Sequence, residues 1–246
     1  SVNVSTNLNY TVSIPSTVSS WISLKNITTR ATVRNDVINL NIKENTATSS
    51  RKATLQLVCD NVEVGTISIY QQGIEVANNE LVYTSSDGKI IEPYQTMGFN
   101  ANIISNTYSN GRGVIVFDKA ITAISEYAFY NCTKLTSIQM PSSVAEIKDY
   151  AFSNTSISEI SIPVNVTIIA DGAFEYCDNI TTIDIPNNVA LVGDYAFNGC
   201  ENLQNITFGD SVTVIGNYAF ANCNKVRSIV IPECIDTIGE KAFYTY

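Results

Sequence analysis

The stretch VIGNYAFANCNKVRSIVIP, residues 214–232, decides the fold because the chain repeats it. Residues 192–209 read VGDYAFNGCENLQNITFG, and the same order of residue types occurs earlier in the chain. Each copy carries an Ala-Phe pair, and the phenylalanines are 22 or 23 residues apart: Phe129, Phe152, Phe174, Phe197, Phe220 and Phe243. A fixed period of roughly 20–29 residues predicts a solenoid, since no single copy can bury its apolar face alone.

Apolar columns inside the repeat predict its local structure. Ile138 and Met140 alternate with the polar residues Ser137 and Gln139, and later copies keep this order. Such alternation predicts a short strand with one buried side. Pro141 and its counterparts end the strand, because proline cannot donate to a central ladder. The Tyr-Ala-Phe segment predicts a turn or a single helical turn that returns the chain.

The pattern I-G-x-Y-A-F-x-x-C-x-x-L-x-x-I-x-I-P-x-x-V over residues 114–246 resembles the BspA-like, Treponema-type leucine-rich repeat. The copy that contains residues 153–155 is one residue short there and lacks the cysteine. In a later copy, Gly209 replaces the proline. We interpret residues 114–124 as a half repeat that begins the stack. Residues 76–113 are predicted to be a β cap over its first edge. Within the cap, Asp87-Gly88 between two β-rich runs predicts a hairpin over residues 80–94.

The first 75 residues lack the repeat. Apolar and polar residues alternate over 38–42, 53–57 and 67–69, which predicts a small β-sandwich. With Trp21, this order is similar to the BACON module, an immunoglobulin-like domain. Trp21 could stack on a sugar, but a buried sandwich tryptophan is the commoner case. The predicted fold is mainly β: an immunoglobulin-like sandwich over residues 1–75, then a leucine-rich-repeat solenoid with short helical turns over residues 76–246, which we expect to fold alone.

Charge and composition exclude several classes of function. Residues 76–246 hold eight Lys and Arg against eighteen Asp and Glu, so we expect no nucleic-acid partner. No apolar run reaches the roughly 18 residues that a transmembrane helix needs. Histidine is absent, which removes the commonest general base and the commonest zinc ligand. No phosphate-binding glycine loop or calcium loop occurs, so we predict no enzyme, no metal and no cofactor.

The cysteines could indicate a disulfide framework, a metal site or a buried column. Cys132, Cys177, Cys200 and Cys223 occupy one position of the repeat, and Cys59 and Cys234 lie elsewhere. A spacing of 22 or 23 residues is not a zinc-site spacing, and the unbroken run of three cannot pair completely. Small buried thiols fit best, because free cysteine is among the most buried residue types. We therefore predict six free thiols.

Two surfaces are candidates for binding. The outward strand positions are polar, and from them we select Glu159, Asp184 and Asn205, with the nearby Arg227. Glu159 and Asp184 could also resemble a hydrolase pair, but an open sheet offers no cleft, so a solvated face is favoured. The second surface is a column of tyrosines that is broken by Gly172 and ended by Lys241. It is either a packing ladder, which is favoured, or an exposed strip that suits a partner, and we include Tyr195 and Tyr218 as candidates.

The leading hypothesis for function is a non-enzymatic surface recognition or adhesion protein, with the sandwich as a spacer. The family resemblance implies a secreted bacterial protein or lipoprotein, anchored to the outer membrane through a segment outside this chain. It also implies adhesion to extracellular or host-surface proteins. A second hypothesis is capture of a polysaccharide or mucin glycan. A third is hydrolysis by Glu159 and Asp184.

Overall fold

The computed structural model describes residues 2–6, 11–14, 19, 22–28, 34–42, 51–59, 62–71 and 76–245. The chain divides into two compact units, Ser1–Glu75 and Val76–Tyr246. Each unit is described below by itself.

The first unit contains two antiparallel sheets of three strands each. One sheet has the order β1-β4-β3, with β1 at Val2–Thr6, β3 at Ile22–Thr28 and β4 at Arg34–Ile42. The other has the order β2-β5-β6, with β2 at Thr11–Ser13, β5 at Arg51–Cys59 and β6 at Val62–Gln71. The predicted alternating segments fall within β4, β5 and β6, so these strands are confirmed. The immunoglobulin-like packing stays a prediction, and Trp21 lies outside the described residues.

The second unit begins with an antiparallel cap. Its strands are β7 at Glu80–Ser85, β8 at Ile103–Ser109 and β9 at Arg112–Phe117. β7 pairs with β9 on one side and with β11, Leu135–Gln139, on the other, both antiparallel. β11 then pairs in parallel with β13, Glu159–Ile160. β7 therefore joins the cap directly to the first coil of the stack.

The stack has two columns of short parallel strands. One column forms a six-stranded sheet of two-residue strands: β10 Ala123–Ile124, β12 Glu146–Ile147, β14 Ile168–Ile169, β16 Leu191–Val192, β18 Val214–Ile215 and β19 Thr237–Ile238. The other column contains β11 and β13, followed by a separate pair, β15 Thr182–Asp184 and β17 Asn205–Thr207. The alternation of the repeat predicts these four strands correctly, but the strand that it also predicts in the last coil does not form, since residues 226–231 are in no strand. The six-stranded sheet was not predicted, because two residues are too few to show a period.

The phenylalanine column forms the centre of the stack. Successive rings from Phe129 to Phe243 lie 5.1–5.5 Å apart, centroid to centroid, and are within 14° of parallel. All but the last ring are fully buried. One ring per coil therefore builds a continuous core along the axis, as the period predicts.

The Tyr-Ala-Phe segments form tight turns rather than helical turns. In the first of them, the N–H groups of Tyr127, Phe129 and Asn131 donate to carbonyl oxygens of the next coil at 2.8–2.9 Å. The residues between them donate to the third residue back within the turn. Tyr127 and Asn131 also have φ of 54° and 58°, in the left-handed region. The prediction of short helical turns is wrong: no helix occurs among the described residues, because half of these N–H groups leave the coil.

The hairpin predicted over residues 80–94 does not form. Residues 86–89 do turn, with the Lys89 N–H donating to Asp87 Oδ1 at 3.1 Å, but residues 90–94 form no strand. Both edges of β7 are already occupied by β9 and β11, so a further strand has no edge to pair with. Instead the Ile91 N–H donates to the Tyr83 hydroxyl at 3.1 Å.

The hairpin of the cap lies at Asn110-Gly111, between β8 and β9. Both turn residues have positive φ, 51° and 77°, which suits the two-residue turn favoured by Asn-Gly. β9 continues this hairpin through residues 114–117, which the sequence assigned to a half repeat. The cap therefore extends to Phe117, and the parallel stack begins at β10.

The cysteine column is buried inside the stack. Cys177, Cys200 and Cys223 are free thiols with at most 1% of their surface exposed. Each donates to a backbone carbonyl of an earlier coil at 3.1–3.3 Å. Burial raises the pKa of Cys177 to about 11 and that of Cys223 to about 12. Buried free thiols are confirmed here, Cys132 and Cys234 are free and half-buried, and the Cys59 side chain lies outside the described residues.

Candidate binding surfaces

The polar strand face carries three of the predicted residues, Glu159, Asp184 and Asn205, at outward positions. Glu159 pairs with Ser137 between β13 and β11, and Asn205 pairs with Thr182 between β17 and β15. Both Glu159 and Asn205 are exposed. The face is polar, and Gln139 and Glu159 are the longest side chains at its outward positions.

Glu159 and Asp184 do not meet across a cleft. Glu159 belongs to the five-stranded sheet and Asp184 to the separate two-stranded sheet. The Thr207 hydroxyl donates to the Asp184 carboxylate at 2.5 Å, and both carboxylates are exposed. Acid–base hydrolysis of a glycoside uses two facing carboxyls, one of them with a pKa raised by burial. The described geometry therefore offers a polar face rather than a catalytic pair.

Arg227 lies at the far end of the stack, in the coil after Asn205. It lines a cavity of about 200 Å³ together with Phe220 and Phe243. Residues 226–231 form no strand, and Val230 is 81% exposed. Arg227 therefore borders an open edge of the core rather than the regular strand face.

The tyrosine column forms two stacked pairs. Tyr127 and Tyr150 lie 5.2 Å apart between ring centroids at 8°, and Tyr195 and Tyr218 lie 5.1 Å apart at 1°. The packing ladder predicted from the sequence is confirmed in both pairs. Gly172 separates the pairs, as its position in the repeat indicates.

Further tyrosines widen this column into a surface. Tyr94 contacts Tyr130 edge to face at 5.6 Å, and Tyr130 contacts Tyr127 in the same way at 5.5 Å. Tyr94 is 68% exposed and Tyr176 is 52% exposed. We call this surface the tyrosine flank and define it as Tyr94, Tyr127, Tyr130, Tyr150, Tyr176, Tyr195, Tyr218 and Tyr244.

The ladder has no tyrosine at Gly172, and we call this position the Gly172 notch. Gly172 has φ of 59°, within 6° of the tyrosines in the same column, so the backbone continues through the notch unchanged. The Tyr150 ring leans over the glycine, where a built Cβ would lie 2.3 Å from a ring carbon. No ring contact joins Tyr150 to Tyr195 in the described part of the chain. Tyr195 is 37% exposed, more than the other three tyrosines of the ladder.

Aspartates next to Gly172 bond to the backbone of the following coil: Asp149 Oδ1 accepts from the Asp171 N–H at 3.2 Å, and Asp171 Oδ1 accepts from the Asp194 N–H at 2.8 Å. Burial, together with repulsion from Asp194 and Asp149, raises the pKa of Asp171. Burial also raises the pKa of Glu175, which accepts a hydrogen bond from Asn198 Nδ2 at 2.9 Å. The only ion pair in the described part of the chain joins Lys241 to Glu240, so no basic side chain neutralises this group.

Lys241 occupies the tyrosine position in the last coil. Its Nζ lies 5.5 Å from the centre of the Tyr218 ring and donates to the Tyr218 hydroxyl at 3.2 Å. It also lies 5.9 Å from the Tyr244 ring. A cation over a tyrosine ring at this distance is a favourable cation–π contact. The second ladder pair therefore ends on a lysine.

A broad groove lies at the opposite end of the stack, next to the cap. It has a volume of about 650 Å³ and lies between residues 98–100 and the strands β10, β12 and β14, with Glu146 and Lys148 in its lining. The described residues contain no group of three or more His, Cys, Asp or Glu that could hold a metal ion. They also contain no helix of the length and apolarity that crossing a membrane requires.

Comparison with known families gives a match over most of the repeats. The model of the BspA type leucine rich repeat region matches residues 102–224 and 167–246, in six copies. These residues are more than half of the chain. The chain belongs to the BspA-type leucine-rich repeat family. A comparison with curated proteins gives no match.

Two solved structures are similar to this BspA-type protein. One is a leucine rich cell surface protein from Faecalibacterium prausnitzii, with 32% identity and a TM-score of 0.43, covering 50% of this chain and 30% of that one. The other is a leucine-rich repeat protein from Bacteroides ovatus, with 24% identity and a TM-score of 0.42, covering 63% of this chain and 49% of that one. This chain spans less than half the length of each.

Sequence analysis of the BspA-type repeat missed part of the tyrosine flank. Tyr94 belongs to the cap and Tyr176 to a different position of the repeat, so neither falls in the tyrosine column. The left-handed backbone of the column also went unnoticed. Two features of the sequence could have indicated left-handed turns. One is Gly172 within the tyrosine column, and the other is asparagine at positions 131, 154 and 222, because Gly and Asn adopt positive φ most readily.

Proposed function

We propose that this protein recognises a protein partner through the tyrosine flank of its solenoid. The observation that carries this proposal is the exposure of the flank on a rigid core. Tyr94, Tyr130, Tyr176, Tyr195 and Tyr244 are each more than a third exposed, whereas the phenylalanines of the core column from Phe129 to Phe220 are stacked and buried. Tyrosine contributes large contact area at low entropic cost and is enriched at binding hot spots.

The polar strand face has a smaller role in this proposal. Glu159, Asp184 and Asn205 are solvated, and Asp184 is already bonded to Thr207. Solvated polar groups contribute less to affinity than buried aromatic anchors. We propose that the protein is not an enzyme, because Glu159 and Asp184, the candidate acid–base pair, belong to separate sheets and do not face each other across a cleft.

We further propose that the protein acts outside the cell, at a bacterial surface. The BspA-type family supports this location, and adhesion to a host or extracellular protein is the proposed outcome of recognition. Anchoring to the outer membrane through a segment beyond this chain is part of the same proposal. The first unit then serves as a spacer.

Binding of the full chain to an array of extracellular-matrix proteins, mucins and purified polysaccharides tests this function. We expect binding to at least one protein, and we expect the double variant Tyr94→Ser with Tyr176→Ser to lose at least ~10-fold in affinity, since hot-spot losses exceed about 1.4 kcal/mol. The matched control, Glu159→Gln with Asp184→Asn, changes the strand face and should bind normally.

Three results contradict the proposal. Binding to polysaccharides alone assigns the protein to glycan capture. Loss of binding in the control but not in the tyrosine variant moves the site to the strand face. Absence of binding to every protein on the array removes the proposed function itself.

A further inference from the structure

We propose that the outer edge of β8 pairs with the same edge of a second copy of this chain. β8 spans Ile103–Ser109 and is the last strand of the five-stranded sheet β13-β11-β7-β9-β8. In the described part of the chain, only β9 pairs with it. This edge contains no residue of the tyrosine flank, so the inference goes beyond the proposed function.

β8 is the one long open edge among the described strands of the second unit. The other strands that end a sheet there have two or three residues: β10, β13, β15, β17 and β19. Natural edge strands avoid pairing by being short, by carrying lysine or proline, or by pointing charges inward. β8 reads IISNTYS and contains no charged residue and no proline. A register shift between Ile103 and Ser105 leaves residues 105–109 as a regular edge without these protective features.

The open edge presents backbone groups in the geometry of a β ladder. The Asn110-Gly111 turn makes Ser109 and Arg112 a hydrogen-bonded pair, and such pairs alternate along an antiparallel ladder. The N–H and C=O groups of Asn106 and Tyr108 therefore point away from β9. Among the described residues, these groups form no hydrogen bond with another segment, so a further strand can bond to them.

Side chains on the inner face hold this edge in place. The Tyr83 hydroxyl donates to Asn106 Oδ1 at 2.8 Å, and Asn106 Nδ2 donates to the Ile91 carbonyl at 2.9 Å. The Tyr108 ring lies 5.9 Å from the Tyr83 ring, centroid to centroid, and its hydroxyl accepts from the Ser85 N–H at 3.3 Å. A strand that is already ordered loses little entropy on binding, so β8 is a preformed template.

The sequence of β8 is self-complementary about Thr107. In an antiparallel pair with a two-fold axis at Thr107, Asn106 of each copy lies opposite Tyr108 of the other, and their open backbone groups exchange hydrogen bonds. Thr107 then faces its own counterpart, and Ser105 faces Ser109. Cross-strand pairs of threonine and serine can hydrogen-bond to each other, and no charge meets a like charge in this register.

The distribution of charge favours this edge as the meeting point of two copies. The cap, residues 76–117, holds two Lys and Arg against three Asp and Glu, whereas residues 118–246 hold six against fifteen. Pairing through β8 places β7, β9 and β8 of both copies between the two acidic stacks, a distance of about 30 Å at about 4.8 Å per strand. The Debye length is about 8 Å at physiological ionic strength, so repulsion between the stacks is screened.

Sedimentation velocity and amide hydrogen exchange of the full chain test this pairing. We expect the weight-average mass to rise toward that of a dimer between ~10 µM and ~1 mM, since two short strands form a small interface that binds weakly. Over the same range, exchange of the Asn106 and Tyr108 amides should slow by at least ~5-fold. The Thr107 amide faces β9 in either state, so its exchange should not change.

Two substitutions at the axis test the register. Thr107→Lys places two ammonium groups opposite each other and should weaken dimerisation by at least ~10-fold. Thr107→Cys should give a disulfide-linked dimer under mild oxidation, because facing Cα atoms of a non-hydrogen-bonded pair lie about 4.5 Å apart, within the span of a disulfide. Peptide mapping should find the link at position 107 of both copies.

The matched controls are Thr182→Lys and Thr182→Cys, which change an exposed threonine of β15. Mass and cross-linking of these controls should equal those of the parent chain. Circular dichroism checks that each variant is folded.

The inference is overturned if the full chain stays monomeric up to ~1 mM, a result that needs no variant. It is also overturned if a dimer forms that folded Thr107→Lys leaves unchanged, since the contact then lies elsewhere. Protection of the Asn106 and Tyr108 amides at every chain concentration would assign the edge to another segment of the same chain. Protection that appears only when a protein from the array is added would assign the edge to a strand of that protein, and both results contradict pairing with a second copy.

Discussion

The phenylalanine and tyrosine columns arise from the same Tyr-Ala-Phe turn, two residues apart, and yet they differ in continuity. The phenylalanine column is unbroken from Phe129 to Phe243, whereas the tyrosine column is interrupted at Gly172 and ends at Lys241. A void in a close-packed core costs stability, and a gap on a wet flank costs little. The buried column is therefore fixed by what the stack needs to fold, whereas the exposed column is free to vary.

The largest effect should come from a gap in the buried column. We expect Phe174→Ala to lower the free energy of unfolding of the second unit by roughly 3–5 kcal/mol. The matched change on the flank, Tyr195→Ala, should cost about 1 kcal/mol, since its ring is partly solvated. Urea unfolding followed by circular dichroism measures both. Equal losses would show that the tyrosine column is as structural as the core.

An intermediate effect should follow from adding a side chain at Gly172. Gly172→Ala requires a left-handed alanine and pushes the Tyr150 ring aside, so we expect a loss of about 2 kcal/mol. Gly88→Ala is the control, because Gly88 has φ of 70° with nothing within 4 Å of a built Cβ. It should cost about 1 kcal/mol.

A double-mutant cycle then isolates the contribution of the ring. In a Tyr150→Ala background, Gly172→Ala should cost no more than Gly88→Ala does, because only the backbone penalty remains. If Gly172→Ala still costs more stability than Gly88→Ala in the Tyr150→Ala background, crowding by the Tyr150 ring is not the cause of the extra cost.

The smallest effect concerns the pH dependence of stability. The pKa of Asp171 is raised mainly by burial, so the folded state holds this proton more tightly than the unfolded state does. Its contribution is therefore present at low pH and is lost as pH rises through the folded-state pKa. Asp171→Asn introduces a side chain that does not titrate, so it removes this loss of stability. The amide oxygen of the asparagine can still accept the hydrogen bond from the Asp194 N–H. Between about pH 3 and pH 7, the variant should gain stability relative to the parent chain.

Asp118 provides the opposite case for that comparison. Hydrogen bonds from the Asn102 N–H and side chain lower the pKa of Asp118, so its contribution is present at neutral pH and lost on acidification. Asp118→Asn should therefore lose stability relative to the parent chain as pH rises. Urea unfolding at several pH values measures both variants. The same trend in both would contradict the assignment.

The sequence predicts the columns of the stack well because each is sampled several times. Five intervals between phenylalanines define the period even though one copy departs from it. The copy near Thr155 is one residue short, but its other apolar positions still align with those of its neighbours. The cap has no such redundancy. Asp87-Gly88 and Asn110-Gly111 are both good hairpin dipeptides, and only the occupied edges of β7 decide between them.

The candidate surface was harder to predict than the fold. The tyrosine column was visible in the sequence, but the exposure of Tyr195 and the position of the Tyr150 ring over Gly172 depend on contacts between coils. Exposure of Tyr94 and Tyr176 depends on how the cap and the turns meet the stack. Both depend on contacts between residues at different positions of the repeat or outside it, which the sequence period does not reveal.

The inter-coil hydrogen bonds of the turns align peptide dipoles along the stack. The Tyr127 N–H donates to the peptide group of residues 149–150, which donates to that of residues 171–172, and the series continues through residues 194–195 and 217–218 to the carbonyl of Glu240. Two further series start at Phe129 and Asn131. As in an α-helix, aligned peptide dipoles add and polarise one another. The turn flank therefore has its positive end at the last coil, and losing a coil at either end weakens bonds several coils away.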